Sequence, residues 1–373
     1  MNKNDMNAPL GQTQEAATSV GETSAEPCET CPMQDDATGV TDDATGVTNS
    51  SDDATGLPCS AMPAPSPAPS RWKRWGLVVV DILLFIVLHV ALVALLSTPL
   101  LLLWPAGQGS PSGSLAPLIN ELIMLVAGVL AVYIVLRIRH LPWSGVGLRL
   151  RGWWRDFGAG IALAAALYAV GFAICLATGA VTVGGAQLSL RGQATSLLLF
   201  LMVAVYEETV SRGFLLGRMI DGGVHRLWAL LLSSLLFSSM HLMNPNFALL
   251  PFINIVLAGI LLGASYIYTR NLALPIALHW GWNYLQGPVL GFEVSGTRLT
   301  DSLLSLQLTG SDLISGGAFG FEGSLTCTVL MLLAIAGVMA WKRREAQKFK
   351  DVVHAMSDAS NDRGRRSPTL RIS

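Results

Sequence analysis

Three apolar stretches of this chain are each interrupted by a short motif of polar and ionisable residues. The motifs read EETVSR at 207–212, FSSMH at 237–241 and HWGWN at 279–283. A carboxylate near an imidazole can act as a general base, and donors from a histidine and an asparagine suit a developing oxyanion. Ionisable side chains inside apolar segments are costly and usually functional, so these motifs indicate a catalytic or proton-handling site.

Helical geometry separates the two glutamates of the first motif. Adjacent residues of a helix point about 100° apart, so Glu207 and Glu208 cannot share one direction. Glu208 and Arg212 are four residues apart with the acid first, which is the favourable order for an ion pair. This spacing predicts that Glu208 pairs with Arg212 and that Glu207 is left to face a cavity.

The other two motifs use the same four-residue spacing. Phe237 shares a helix face with His241, and His279 shares a face with Asn283. Three helices therefore each offer one polar face to a common interior. Counted along the predicted spans, Glu207, His241 and His279 lie at similar depths. We expect a carboxylate and two imidazoles to meet inside the bilayer, in a site that opens to the cytoplasm.

The composition is that of a membrane protein. Hydrophobic residues make up 51% and charged residues 13% of the 373 residues, and the mean hydropathy is +0.50. A soluble domain carries about a quarter charged residues. The net charge of −1 gives no bias toward nucleic acid. The predicted partner is therefore the lipid bilayer and not a nucleic acid.

The apolar runs predict an all-α polytopic membrane protein with about eight transmembrane helices. Each span needs about 20 mostly apolar residues. The predicted spans are 76–103, 117–136, 158–178, 194–217, 227–243, 252–269, 271–290 and 323–341.

Basic residues alternate between the ends of these spans. Three lie at 71–74 before the first span, five arginines lie at 137–155, and three more basic residues lie at 342–344, whereas 104–116 holds no charge. Lysine and arginine accumulate in cytoplasmic loops. The pattern predicts a multi-pass protein of the cell membrane with both termini in the cytoplasm.

Composition divides the chain into three parts. Residues 1–70 hold eleven acidic residues and one lysine, including a short DDATG repeat, and are predicted to form a disordered cytoplasmic tail. The predicted transmembrane domain covers 71–344, and 345–373 form a basic C-terminal tail. In the first tail Cys28 and Cys31 form half of a zinc site without a second pair, so we interpret them as free thiols.

Four polar residues of the first two spans receive a structural interpretation. An intramembrane histidine or aspartate can serve only to bond its neighbours, as we expect for Asp81 and His89. Asn120 and Glu121 are expected at the membrane interface and outside the site.

The three motifs fit the patterns EExxxR, FxxxH and HxxxN, in that order and on separate apolar segments. In this the chain resembles the CPBP family of CAAX proteases and bacteriocin-processing enzymes, also called the Abi family, which includes the type II CAAX prenyl endopeptidase. The stretch 145–160 adds a weaker similarity, so the resemblance covers about 145–290.

The resemblance implies an intramembrane endopeptidase that hydrolyses a membrane-associated protein or peptide with activated water. In the implied mechanism Glu207 and His241 activate the water, and a second pair stabilises the oxyanion. That second pair is His279 and Asn283. The implied supporting residues are Glu208, Arg212 and Phe237.

Several alternatives stay open at this point. Glu207, His241 and His279 are also a plausible zinc set with one open position, so a metalloprotease and a metal-free glutamate site both fit. Buried acids and histidines also build proton-coupled transporters or channels, although the motif helices are unlike each other and show no duplication. A non-catalytic immunity or scaffold protein of the same fold is the third alternative. The motifs do not choose among peptide maturation, immunity and surface display.

Overall fold

The computed structural model describes residues 70–103, 115–148, 152–298 and 300–365, and these residues form a mostly helical bundle. The predicted tail at 1–70, with Cys28 and Cys31, lies outside the described residues apart from Ser70. In chain order the helices are α1 (Arg71–Leu103), α2 (Leu115–Ile138), α3 (Trp153–Ala177), α4 (Leu190–Glu208), α5 (Gly217–Asp221), α6 (Arg226–Ser239), α7 (Leu249–Thr269), α8 (Ala273–Tyr284), α9 (Asp312–Ser315) and α10 (Leu325–Arg365).

Within the described residues, six helical segments are long and apolar enough to cross a membrane. They are Trp72–Leu100, Leu115–Ile138, Trp153–Ala177, Leu190–Asp221, Leu249–Thr269 and Leu325–Glu345. Large apolar side chains such as Leu83, Val87 and Leu333 are more than half exposed on the outside of the bundle. An apolar outer surface suits contact with lipid, and the prediction of an integral membrane protein is confirmed.

The predicted count of eight spans is not confirmed. The segments predicted at 227–243 and 271–290 contain α6, with 14 residues, and α8, with 12 residues. At about 1.5 Å per residue, α6 covers roughly 21 Å, less than the ~30 Å of a bilayer core. Helix α6 stops at Ser239 and α8 turns into the π-helix Leu285–Val289, so both elements end inside the regions assigned to spans.

The chain between α8 and α10 forms a cap, in a stretch for which the sequence predicted no span. It contains strand β2 (Leu304–Leu308), which pairs antiparallel with β1 (Val181–Ala186) from the α3–α4 connection. This two-stranded sheet departs from the all-α prediction. Helix α9 and two short 3-10 turns complete the cap before α10 begins.

Two features of the bundle position the motif helices. Helix α4 runs without a break into a π-helix, Thr209–Leu216, and then into α5, so one long element carries EETVSR. Helix α3 packs closely on α8 at Gly160, where an added Cβ would lie 2.6 Å from the Leu274 carbonyl oxygen. Only glycine permits this approach, which fixes α8 and its HWGWN motif against α3.

Helix α10 continues to Arg365, well past the end predicted at 341. The predicted basic tail at 345–373 therefore begins as helix, and 366–373 lie outside the described residues.

Candidate active site

One cavity of about 190 Å³ brings together all four predicted catalytic residues. Its wall is formed by residues of α2, α4, α6, α7, α8 and α10 together with two loops. Among the lining residues are Glu121, Phe200, Glu207, Phe237, His241, Asn244, Asn254, Leu261, Leu278, His279, Asn283, Ser295, Thr297, Glu322 and Met331. The three motifs thus converge inside the bundle, as their polar faces indicated.

Glu208 pairs with Arg212, in agreement with the helical spacing. The Glu208 Oε1 atom accepts a hydrogen bond of 2.6 Å from Arg212 Nη1. Both side chains are almost completely buried. The same Oε1 atom also lies 2.8 Å from His279 Nδ1. Glu208 therefore joins the first motif to the third, a contact that spacing within one helix could not reveal.

Glu207 faces the other nitrogen of the same imidazole. Its Oε2 atom lies 3.8 Å from His279 Nε2 and has no hydrogen-bond partner among the described residues. Each ring nitrogen of His279 thus faces a carboxylate, an arrangement that favours the doubly protonated imidazolium. With Arg212, two cations then balance the buried Glu208 and the partly exposed Glu207.

His241 lies in the turn after α6. The predicted fifth span would have placed it inside a helix. Its Nδ1 lies 3.0 Å from the carbonyl oxygen of Phe237. A carbonyl can only accept, so Nδ1 carries a proton, and in the neutral form of the ring Nε2 is then the acceptor. No hydrogen bond or ion pair joins His241 to Glu207 among the described residues, and both line the same cavity.

Phe237 connects the second motif to the other two. Its ring centroid lies 4.3 Å from the guanidinium carbon of Arg212. The rings of His241 and His279 lie 5.1 Å and 6.2 Å away, centroid to centroid. A cation over an aromatic face is attracted by the ring, so Phe237 holds Arg212 as well as shaping the wall.

Asn283 is buried and lines the cavity one helical turn from His279. No hydrogen bond joins its side chain to another described residue. The amide is thus available to a group that enters the cavity.

The predicted zinc set does not form a metal centre. Among the residues that the structure describes, no three His, Cys, Asp or Glu side chains are grouped to hold a metal ion. Glu207 Oε2 and His279 Nε2 lie 3.8 Å apart, whereas the hydrogen bond of the His241 ring goes to the Phe237 carbonyl. As placed, these described residues do not form the set of three protein donors that a catalytic zinc site uses.

Sequence reasoning missed two carboxylates of the cavity. Glu121 lines it from α2 and is not confined to the interface. Glu322 lines it from the cap, where it accepts hydrogen bonds from Trp282 Nε1 at 3.1 Å and from the backbone N–H of Ser295 at 3.0 Å. Glu121 could have been predicted, because it is a carboxylate within an apolar run. Glu322 could not, because it lies in a segment that is not predicted to span the membrane.

Asp81 and His89 lie outside the cavity and bond neighbouring helices. Asp81 forms ion pairs with Arg139 at 2.9 Å and Arg218 at 2.8 Å. His89 Nε2 lies 3.1 Å from the hydroxyl of Tyr206. These contacts agree with the structural interpretation of both residues.

Comparison with known families places the three motifs in one family segment. Residues 192–285, which are 94 of the 373 residues, match the family described as type II CAAX prenyl endopeptidase Rce1-like. The resemblance to this family is confirmed. The CAAX-endopeptidase-like segment begins in α4 and ends just after α8, so it contains every motif residue. The stretch 145–160 lies outside it. No curated protein and no solved structure matched the chain.

Proposed function

We propose that this protein is an intramembrane endopeptidase that hydrolyses a peptide bond of a membrane-associated protein or peptide without a metal-held water. The observation that carries the proposal is the placement of His279 between two carboxylates at the edge of a cavity. The Glu208 Oε1 atom lies 2.8 Å from His279 Nδ1, and the Glu207 Oε2 atom lies 3.8 Å from His279 Nε2 on the cavity side. The CAAX-endopeptidase-like match supports a protease of this class.

Glu207 is the general base in this proposal. Its carboxylate removes a proton from a water molecule as the water oxygen attacks the peptide carbonyl carbon. The carbonyl oxygen becomes an oxyanion, which accepts hydrogen bonds from His279 Nε2–H and the Asn283 amide. When the carbon–nitrogen bond breaks, Glu207 returns the proton to the leaving amine. The products are a carboxylic acid and an amine, and the site returns to its starting state.

His241 assists the same proton transfer. With the Nδ1 proton held by the Phe237 carbonyl, Nε2 can accept a hydrogen bond from the attacking water. Glu208 balances the charge of His279, while Arg212 and Phe237 hold Glu208 and the wall in place, and these three residues do not contact the reacting atoms.

We further propose that both termini are cytoplasmic. Six long helices and the two shorter ones, α6 and α8, then alternate in direction within the bundle. The uneven distribution of arginine along the chain is the support for this orientation.

The decisive experiment measures peptide cleavage by the full-length protein purified in detergent. A peptide mixture is incubated with the wild type, with Glu207→Gln and with Asp351→Asn, and new termini are identified by mass spectrometry. Asp351 is an exposed acid on the polar end of α10, so its variant controls for the loss of one charge. We expect cleavage by the wild type and Asp351→Asn, and loss of the same cleavages with Glu207→Gln. Equal cleavage by all three would refute the assignment.

A further inference from the structure

The cavity occupies one end of the helical bundle. From Glu207 and His279, near the middle of the bundle, it extends toward the loops at 240–248 and 290–324. Asn244, Ser295 and Thr297 line it from those loops. None of its lining residues belongs to the opposite connections at 139–152, 222–225 or 270–272.

The opposite end of the bundle is closed by close packing. Tyr266 and Leu272 are completely buried there. The Leu272 backbone N–H donates to the Gly147 carbonyl at 2.9 Å. The Tyr266 hydroxyl donates to the Val146 carbonyl at 3.3 Å. A peptide therefore cannot reach Glu207 from this end without displacing the buried core.

The arginines of the described bundle accumulate at the closed end. This end carries Arg137, Arg139, Arg155, Arg218, Arg226 and Arg270. The cavity end carries Arg298, which pairs with Glu293 at 3.0 Å, and Arg191. Since arginine and lysine mark the cytoplasmic ends of spans, the closed end faces the cytoplasm.

We infer that the cavity opens to the extracytoplasmic face and that the substrate is a protein segment exposed on that face, next to the membrane. The inference rests on the proposed proteolytic function. It also corrects the expectation of a site that opens to the cytoplasm. The cavity and most of the arginines lie at opposite ends of the bundle. If the arginine-rich loops are cytoplasmic, the cavity therefore cannot open to the cytoplasm.

The charge of the cavity wall narrows the substrate further. Three glutamates, Glu121, Glu207 and Glu322, line it against the one imidazolium of His279, and no lysine or arginine does so among the described residues. An acidic side chain near the scissile bond would be repelled by this wall, since charges interact strongly away from bulk water. The remaining wall mixes amides such as Asn244 with apolar side chains such as Leu261 and Met331. The fitting segment is therefore neutral or basic and partly apolar.

Cysteine labelling tests the direction of the opening without any assay of activity. Ser305 in the cap and Ser144 at the closed end are both exposed serines, which makes them a matched pair. Each is changed to cysteine in a full-length chain whose native cysteines are replaced by alanine, and intact cells receive a membrane-impermeant maleimide. We expect labelling of Ser305→Cys in intact cells and of Ser144→Cys only after permeabilisation. The reverse pattern would overturn the inference.

Mapping of new protein termini tests the substrate class. Membrane-protein termini are compared between cells that express the wild type and cells that express Glu207→Gln. We expect the termini that depend on Glu207 to map to extracytoplasmic segments beside a span, with few acidic residues at the cut. Termini in cytoplasmic segments would overturn this inference and leave proteolysis standing. No difference between the strains, with Ser305→Cys still labelled from outside, would instead refute the proposed function.

Discussion

His279 Nδ1 lies 2.8 Å from Glu208 Oε1, and this contact makes the second glutamate of the first motif a partner of the third motif. Because Oε1 also accepts from Arg212, one buried oxygen joins α4, the following π-helix and α8. Glu207, the neighbouring glutamate, approaches the same imidazole from the cavity side. The two glutamates therefore act on one histidine from opposite nitrogens, and their removal should have different consequences.

Glu207→Gln should abolish catalysis while the fold persists. The substitution conserves shape and removes a carboxylate whose Oε2 has no hydrogen-bond partner among the described residues. Loss of a general base typically costs a factor of about 10²–10⁴ in rate. We expect a drop of at least this size in the turnover of one peptide, with the melting temperature unchanged. A variant that still turns over at a tenth of the normal rate would rule out Glu207 as the base.

Glu208→Gln should lose both stability and activity. It leaves Arg212 without its buried carboxylate, and breaking such a pair costs roughly 3–5 kcal/mol. It also weakens the hold on His279 Nδ1, so activity per folded molecule should fall as well. Thermal melts and turnover at equal folded concentration separate the two effects. A stable but inactive Glu208→Gln beside a working Glu207→Gln would exchange the roles of the two residues.

Arg212→Ala should lower the folded yield more than Arg212→Lys. Arginine contacts Glu208 at 2.6 Å, the Gly259 carbonyl at 3.5 Å and the face of Phe237 at 4.3 Å. Lysine keeps the charge that balances Glu208 but lacks the planar fork that makes three contacts at once. Alanine loses the pair entirely, at a cost of roughly 3–5 kcal/mol. Size-exclusion profiles and melts in detergent measure the effect.

If Arg212→Ala and Arg212→Lys give the same folded yield and melting temperature, the positive charge at position 212 does not stabilise the fold. If Arg212→Ala folds and melts like the wild type yet cleaves nothing, the guanidinium takes part in the chemistry and its positioning role is wrong.

Glu322→Gln should loosen the cap. The carboxylate accepts from Trp282 Nε1 at 3.1 Å, from the Ser295 backbone N–H at 3.0 Å and from the Ser295 hydroxyl at 2.8 Å. An amide offers one oxygen in place of two, so at least one of the two N–H donors loses its acceptor. An unsatisfied buried donor costs about 1–3 kcal/mol. We expect a lower free energy of unfolding in chemical denaturation.

Glu293→Gln is the matched control for Glu322→Gln. It removes a carboxylate from the same loop, but the partner, Arg298, is mostly exposed. Exposed ion pairs contribute about 0–1 kcal/mol, so this control should unfold close to the wild type. Equal destabilisation by the two substitutions would mean that Glu322 does not hold the cap.

The sequence predicted the parts of the site that follow from spacing along one helix. The Glu208–Arg212 pair is of this kind, because four residues bring two side chains onto one face. The convergence of three motifs on one cavity was also predictable, since isolated polar faces need a shared interior. What spacing could not supply was the contact between Glu208 and His279, which depends on how α4 packs against α8.

The missed features depend on where elements end and how loops fold. His241 lies beyond the end of α6, because the helix stops at Ser239 although the residues on either side of His241 are apolar up to Met243. Glu322 reaches the cavity only through a cap built by long-range pairing of β2 with β1, which leaves no local pattern. Glu121 is a carboxylate in an apolar helix, which usually indicates function. It was expected at the membrane interface only because it lies near the end of the predicted span.

Gly160→Ala should displace α8 and with it His279. The added Cβ would lie 2.6 Å from the Leu274 carbonyl oxygen and 2.8 Å from the Leu278 backbone nitrogen. Both atoms belong to the backbone of α8, so the helix itself must move, and overpacking of this kind costs about 1–3 kcal/mol. His279 follows Leu278 directly, so its contacts with Glu208 and Glu207 should lengthen. We expect a lower melting temperature and reduced turnover per folded molecule.

Gly158→Ala is the control, two residues earlier on α3. An added Cβ at Gly158 meets no atom within 4 Å, so nothing on α8 has to move. Alanine is also the better helix former, by roughly 0.5–1 kcal/mol, and this variant should be as stable as the wild type or slightly more so, with full activity. If Gly158→Ala and Gly160→Ala behave alike in melts and turnover, close packing of α3 on α8 does not position the catalytic imidazole.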